Sequence, residues 1–148
     1  MSLSRSSRAV LVAVALVFTA SAWAGAASMT DAQLVATRQA KMKEDGAILK
    51  GAKTLTGADA VAAATKILAN FTAFPGLFRP SSITPDSRAT TKIWENWADF
   101  TARLAEEKAN AQAMLAAAKS GDKAGYLTAV DALKQPCSNC HLAYARIL

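Results

Sequence analysis

Apolar side chains recur at steps of three or four residues in four stretches of the chain, which is the spacing of amphipathic helices. The first stretch begins at Thr30, where Thr30 and Gln33 fit a capping box, and we expect it to end at Gly51. Its recurring positions are Leu34, Val35, Arg38, Met42 and Leu49. The second stretch begins near Thr56, and its shared face is formed by Val61, Ala64, Leu68 and Phe71.

The third and fourth stretches follow residues 72–90, whose prolines and glycine predict a long ordered connection rather than a helix. The third predicts one helix from about Thr91 to Lys119, with a stripe formed by Ile93, Trp97, Phe100, Leu104, Ala111 and Leu115. The fourth begins near Asp122, and its recurring positions are Tyr126, Val130, Leu133, Cys137, Cys140, His141, Tyr144 and Leu148. This spacing predicts cysteines on the core face, and Pro136 is expected to break the helix just before them.

The pattern predicts an all-α fold, a four-helix up-down bundle with one long crossover connection. Hydrophobic residues make up 52% of the chain, and much of that share is alanine, which favours helix more than any other residue. A chain of 148 residues predicts one domain. We expect that domain to span residues 28–148.

Residues 1–27 have the features of a cleaved secretory signal peptide. Arg5 and Arg8 precede an apolar run over residues 9–20, and Ala22-Trp23-Ala24 fits a cleavage site. A membrane anchor is the alternative, but a spanning helix needs about 20 apolar residues and this run is shorter. We therefore expect export to the periplasm and no stable membrane insertion after cleavage.

The charge pattern does not favour nucleic-acid binding. Signal cleavage would lower the formal net charge from +6 to about +4, with the basic residues spread along the chain. No cluster of Lys or Arg interleaved with aromatic residues is present in the sequence. The modest positive charge is compatible with a negatively charged protein partner.

The candidate chemistry is concentrated in Cys137-Ser138-Asn139-Cys140-His141, which holds the only two cysteines and the only histidine of the chain. This C-x-x-C-H pattern is the attachment signature of c-type haem. Residues three and four apart share one helix face, so two thiols can form thioethers with the haem vinyl groups. The imidazole of His141 can then reach the iron as proximal ligand.

Three other interpretations of the motif are weaker. A structural zinc site needs four protein ligands, and the chain offers three Cys and His residues. A thioredoxin-type pair is expected near a βαβ pattern, which is missing from the sequence. A haem-free helical binding protein with a local Cys137–Cys140 disulfide stays open as a third interpretation, since exported proteins often carry disulfides.

The second axial position of the iron cannot be a histidine of the same chain. Met29 lies at the start of the first helix, and Met114 is expected to pack in the third. Met42 lies in the middle of the first helix, on the face of Leu34 and Arg38. From the pattern alone, Met42 is either a ligand or core filler, which is the commoner fate of a buried methionine.

The chain resembles the class II c-type cytochromes, that is, cytochrome c′ and the low-spin cytochrome c-556. C-x-x-C-H close to the C-terminus is the distinctive feature of that family. Residues 36–47, ATRQAKMKEDGA, resemble its first helix, and residues 92–100, KIWENWADF, the start of its third. Tyr144 matches an aromatic residue three positions after the haem histidine.

The resemblance implies one covalently bound haem c near the C-terminus of the bundle. The sequence shows no catalytic constellation, since its one histidine is committed to the motif, so we expect no enzymatic activity. In the c-556 branch the distal residue is a methionine that ligates the iron, giving a low-spin electron carrier, and here that position is Met42. In cytochrome c′ the distal side chain does not bind, and the five-coordinate iron binds small gases such as nitric oxide or carbon monoxide. The resemblance favours the first function, with redox proteins as partners and a homodimer formed through the first two helices.

Other residues carry weaker expectations. Arg38 either reaches a haem propionate by a charge-assisted bond or lies solvated at the helix edge. Trp97 is expected to pack in the core, whereas Trp94 packs there or lies half-exposed beside the haem. Lys43 and the other lysines are expected on solvated faces. Many cytochromes c′ carry an arginine four residues after the haem histidine, but here that position is Ala145, and Arg146 comes one step later.

Overall fold

The computed structural model describes residues 28–146 and places them in a four-helix bundle, as the sequence predicts. The helices are α1 (Asp31–Gly51), α2 (Gly57–Ala73), α3 (Lys92–Glu95), α4 (Trp97–Ser120), α5 (Lys123–Lys134) and α6 (Pro136–Tyr144). Helices α3 and α4 together correspond to the third predicted helix of the bundle, and α5 and α6 together correspond to the fourth. The signal peptide predicted over residues 1–27 and the predicted role of Leu148 lie outside the described residues.

The helix boundaries follow the local signals in the sequence. Thr30 caps α1 through a complete capping box, in which the backbone N–H of Gln33 donates to Thr30 Oγ1 and the Thr30 N–H donates to Gln33 Oε1. Gly121 ends α4 with a φ of 72°, a conformation that glycine adopts without steric cost. Asp122 then caps α5 by accepting a hydrogen bond from the backbone N–H of Gly125.

Two predicted helices are each divided in two. The fourth breaks at Gln135, as expected, because Pro136 has no N–H and starts α6 as its first residue. The continuous third helix predicted from Thr91 is wrong, because Asn96 leaves the helical region at φ −126° and ψ 42°. The Asn96 side-chain amide donates to the carbonyl of Lys92, the kind of local bond by which asparagine competes with helix.

The core lies between α2, α4 and α5, with α4 packed along both of the other helices. The face predicted for α2 is offset, since Val61 and Leu68 are only half-buried. The residues buried there are Ala60, Ala63, Ala64, Ile67, Asn70 and Phe71. On α4 the prediction for Trp97 is wrong, because its side chain is 38% exposed. Met114 is fully buried on that helix, as expected.

Helix α2 and the 3₁₀ turn after it, Gly57–Leu77, are the one part of the described chain long and apolar enough to cross a membrane by length and composition. The core helix of a bundle satisfies the same criteria. Here Ala64 and Ile67 are fully buried, and α2 packs against α4. The packing accounts for the apolar composition of this helix.

The crossover connection between α2 and α3 is fastened to α1 by the buried guanidinium of Arg38, which is 4% exposed. Its Nη1 donates to the carbonyl of Leu77 at 3.1 Å and to Ser82 Oγ at 2.7 Å. Its Nη2 donates to the carbonyl of Ser82 at 2.7 Å and to Ser87 Oγ at 2.6 Å. The guanidinium also lies over the ring of Phe78, 4.7 Å from its centroid. The solvated position considered for Arg38 is therefore wrong.

We expect Arg38→Ala to lower the free energy of unfolding by about 3 kcal/mol, because it leaves two carbonyls and two buried hydroxyls without their donor. Equilibrium unfolding in guanidinium chloride measures this loss. The matched control is Arg79→Ala, which removes a partly exposed ion pair with Asp31 at 2.7 Å and is expected to cost less than about 1 kcal/mol. Equal losses in the two variants would contradict the role given to Arg38.

Candidate functional site

The C-x-x-C-H motif occupies the first turns of α6. Pro136 is the first residue of that helix, so Cys137, Cys140 and His141 all lie within its first two turns. Cys137 and His141 are exposed, and Cys140 is half-buried. The Cys137 thiol donates to the carbonyl of Leu133 at 3.2 Å, and the two cysteines are free thiols. The prediction that both cysteines share the buried core face is therefore wrong: this part of α6 faces a cleft.

The cleft consists of two cavities, of about 370 Å³ and about 200 Å³, that share three lining residues. The shared residues are Met42 on α1 and Cys140 and His141 on α6. Cys137 lines the smaller cavity and Arg38 the larger. The fold thus brings all five sequence-predicted site residues to one cleft, while Met29 and Met114 line neither cavity.

The larger cavity has aromatic walls and a positive charge. The rings of Phe78, Phe100 and Tyr144 line it, and Phe100 packs edge-on against both of the others. Its charged lining residues are all basic: Arg38, Lys43 and Arg88. The Tyr144 hydroxyl donates to Asp99, which also accepts a bond from Arg103 Nε at 2.7 Å. These bonds hold the Tyr144 ring in the cavity wall.

The smaller cavity carries the opposite charge. Its charged lining residues are Asp45, Glu106, Glu107 and Arg103. Asp45 on α1 is 4% exposed and Glu107 on α4 is 8% exposed. Each has one carboxylate oxygen, Asp45 Oδ2 and Glu107 Oε2, that has no hydrogen-bond partner among the described residues.

Burial raises the pKa of both carboxyls. The pKa of Asp45 rises to about 6, although the Asn70 amide, which donates to Asp45 Oδ1 at 2.7 Å, lowers it in part. The pKa of Glu107 rises to about 7, with a smaller opposing contribution from its hydrogen bond with Asn110. Desolvation dominates in each case because the charged form loses its water. Burial also raises the pKa of the Cys137 and Cys140 thiols.

The sequence does not predict four charged residues of the cleft as part of the site. It predicts Lys43 only on a solvated face. Arg88 lies in the crossover connection, where no helical period indicates the position of a side chain. Asp45 and Glu107 had a detectable signal. Asp45 follows Met42 by three residues, and Glu107 follows Leu104 by three, so both carboxyls occupy apolar-face positions of their helices.

The donors of the cleft fit a covalently attached haem. Two free thiols one helical turn apart, an exposed imidazole next to the second thiol and a thioether on the opposite helix supply the groups that haem c requires. The larger cavity lies within the size range of ligand sites, and both cavities have mainly apolar walls. In the described part of the chain, no group of three or more His, Cys, Asp or Glu is placed to hold a metal ion directly.

Comparisons with known proteins agree with this donor set. The family model described as Cytochrome C′ matches residues 28–145. Cytochrome c-556 of Agrobacterium fabrum is 39% identical over 117 residues, which cover 74% of this chain and 79% of that protein. Cytochrome c prime from Shewanella frigidimarina is similar in structure, with a TM-score of 0.69 and 29% identity, covering 80% of this chain and 98% of that one.

A cytochrome c′ with an unusual ligand-controlled dimer dissociation has the same fold. Its TM-score is 0.72 at 22% identity, and the match covers 81% of this chain and 99% of that one. The sequence match, the structural match and the free thiols beside an exposed imidazole agree with one another. The chain therefore belongs to the cytochrome c′ family of class II c-type cytochromes, whose cofactor is a covalently bound haem c.

Proposed function

We propose that the protein is a periplasmic electron-transfer cytochrome that holds one haem c between His141 and Met42. The observation that carries this proposal is that these two side chains, from α6 and α1, line both cavities of the cleft. Methionine opposite histidine raises the reduction potential of haem iron, which suits an electron carrier. The similarity to cytochrome c-556 of Agrobacterium fabrum supports the same branch of the family.

The residues of α6 divide the attachment between them. Cys137 and Cys140 would form the two thioether bonds, and Pro136 starts the helix so that both thiols lie in its first two turns. His141 would supply the imidazole nitrogen that binds the iron. When bound, the haem supplies an iron that alternates between its ferric and ferrous states. The aromatic walls of the larger cavity exclude water from the cofactor.

The charge difference between the cavities favours one orientation of the haem in the cleft. Its two propionates are anionic and are favoured beside Lys43 and Arg88 in the larger cavity. Cys137, which takes one vinyl group, lies in the smaller cavity. Arg38 contributes mainly through its positive charge, because its four terminal N–H groups already donate to the crossover connection.

A second candidate function is gas binding at a five-coordinate iron. Met42 is only half-buried and lines both cavities, so packing does not hold its side chain at the iron position. The structural relatives that are cytochromes c′ support this alternative. A haem-free helical protein with a local disulfide has no support, since both cysteines are free thiols beside the cleft.

Export and assembly complete the proposal. We infer that residues 1–27 are a signal peptide and that the mature domain begins near residue 28, where the family match also begins. The haem environment suits exchange of electrons with redox proteins of the periplasm. We also infer a homodimer through α1 and α2, and a cytochrome c′ that shares the fold has a ligand-controlled dimer dissociation.

We expect Met42→Ala to convert the iron from low spin to high spin and to let the reduced protein bind carbon monoxide, because the variant removes the distal thioether. Absorption spectra of both oxidation states, with and without carbon monoxide, measure the change. Met29→Ala is the matched control, since that methionine lines neither cavity and its spectrum should equal the wild type. Identical spectra for Met42→Ala and wild type would contradict ligation by Met42.

We expect the exported protein to weigh one haem more than its mature polypeptide and to stain for haem after denaturing electrophoresis. The double variant Cys137→Ala with Cys140→Ala should lose the stain, because no thiol then anchors the porphyrin. Intact mass spectrometry checks both results. A wild-type protein that has the mass of its polypeptide alone would contradict haem attachment.

A further inference from the structure

The haem cleft contains two buried carboxyl groups for which electron transfer alone gives no use. Asp45 and Glu107 line the smaller cavity from different helices, together with Cys137, Cys140 and His141. An unpaired carboxylate loses much of its hydration free energy on burial, so proteins normally pair such groups or leave them protonated. Here each group keeps one oxygen without a partner among the described residues.

The surrounding charges do not neutralise the two carboxyls. The titratable and charged groups that face them from α1, α2, α4 and α6 are Lys41, Glu44, Lys66, Arg103, Glu106, Cys137, Cys140 and His141. Each of the three cations already has another partner. Lys41 Nζ donates to Asn70 Oδ1 at 2.8 Å, and Lys66 Nζ lies 3.5 Å from Glu44 Oε1. Arg103 forms an ion pair with Asp99. Within residues 28–146, no ion pair reaches Asp45 or Glu107.

We propose that Asp45 and Glu107 form a proton-binding site that takes up a proton from solvent when the haem iron is reduced. The inference rests on the proposed function, since it requires a redox-active haem in the cleft. The electron arrives from a redox partner and converts ferric to ferrous iron. The proton converts a carboxylate to a carboxylic acid, so the added negative charge is compensated within the same cavity.

The direction of the effect follows from electrostatics in a site of low polarity. A carboxylate near the iron stabilises the more positive ferric state, and the added electron makes protonation easier. Burial already raises the pKa of Asp45 to about 6 and that of Glu107 to about 7. Uptake therefore falls within roughly pH 5 to 8, and the reduction potential decreases as pH rises through this interval.

Spectroelectrochemical titration of the intact holoprotein at several pH values tests the proposal. Where one proton accompanies each electron, the ratio of reduced to oxidised protein at fixed applied potential falls tenfold per pH unit, equivalent to about 59 mV. We expect the wild type to approach this slope between the pKa of the site in the ferric protein and its higher pKa in the ferrous protein. The double variant Asp45→Asn with Glu107→Gln should show a flat potential close to the wild-type value at low pH. Each single variant should lose part of the slope.

Glu106→Gln is the matched control. Glu106 lines the same cavity and is the chain neighbour of Glu107, but its side chain is exposed and solvated. We expect this variant to keep the wild-type slope. Reduced-minus-oxidised infrared spectra give a second measurement, in which reduction should produce a carboxylic acid band that shifts in deuterium oxide. That band should be missing from the double variant.

Several results would overturn the proposal. A wild-type potential that is independent of pH rejects it without the need for any variant. A slope retained in the double variant assigns the proton to another group, such as a haem propionate, and rejects it as well. A haem-loaded protein with a flat potential refutes only the proton site, whereas a protein that carries no haem refutes the proposed function together with it.

Discussion

The buried guanidinium of Arg38 fixes the geometry on which the rest of the cleft depends. Its four hydrogen bonds join α1 to Leu77, Ser82 and Ser87 of the crossover connection, one helical turn before Met42. Helix α1 also buries Leu34 and Leu49, but it packs less extensively against the bundle than α4 does, so this polar attachment adds to what holds it in place. It keeps α1 at the cleft, with Met42 lining the same two cavities as His141.

The two cavities of the cleft differ in the charge of the side chains that line them. Basic residues and aromatic rings line the larger cavity, and three carboxyl groups line the smaller one. The propionates of a porphyrin are anionic, so the basic residues favour them in the larger cavity and the carboxyl groups disfavour them in the smaller one. Cys137 lines the smaller cavity, where the thioether to one vinyl group would form. The charges around the cleft thus bear on both the proposed orientation of the haem and the proposed protonation of the carboxyl groups beside it.

The sequence predicts the fold well where local signals decide it. The capping box at Thr30, the end of α4 at Gly121 and the break at Pro136 each follow from one or two residues. The sequence does not predict the break at Asn96, because the apolar spacing continues from Ile93 to Phe100 across it. The same spacing predicts Trp97 in the core, since periodicity cannot report a change of helix direction.

The candidate site is only partly readable from the sequence. The motif from Cys137 to His141 is contiguous, so its chemistry is visible without a structure. The contribution of Arg88 depends on a connection that has no period, and the burial of Asp45 and Glu107 depends on how α1, α4 and α6 meet.

Electron paramagnetic resonance of the oxidised, exported protein tests the central claim most directly, because it reports how many strong ligands the iron has. The account predicts a low-spin ferric signal from iron held by His141 and Met42. A high-spin ferric signal, or a protein without iron, would contradict it.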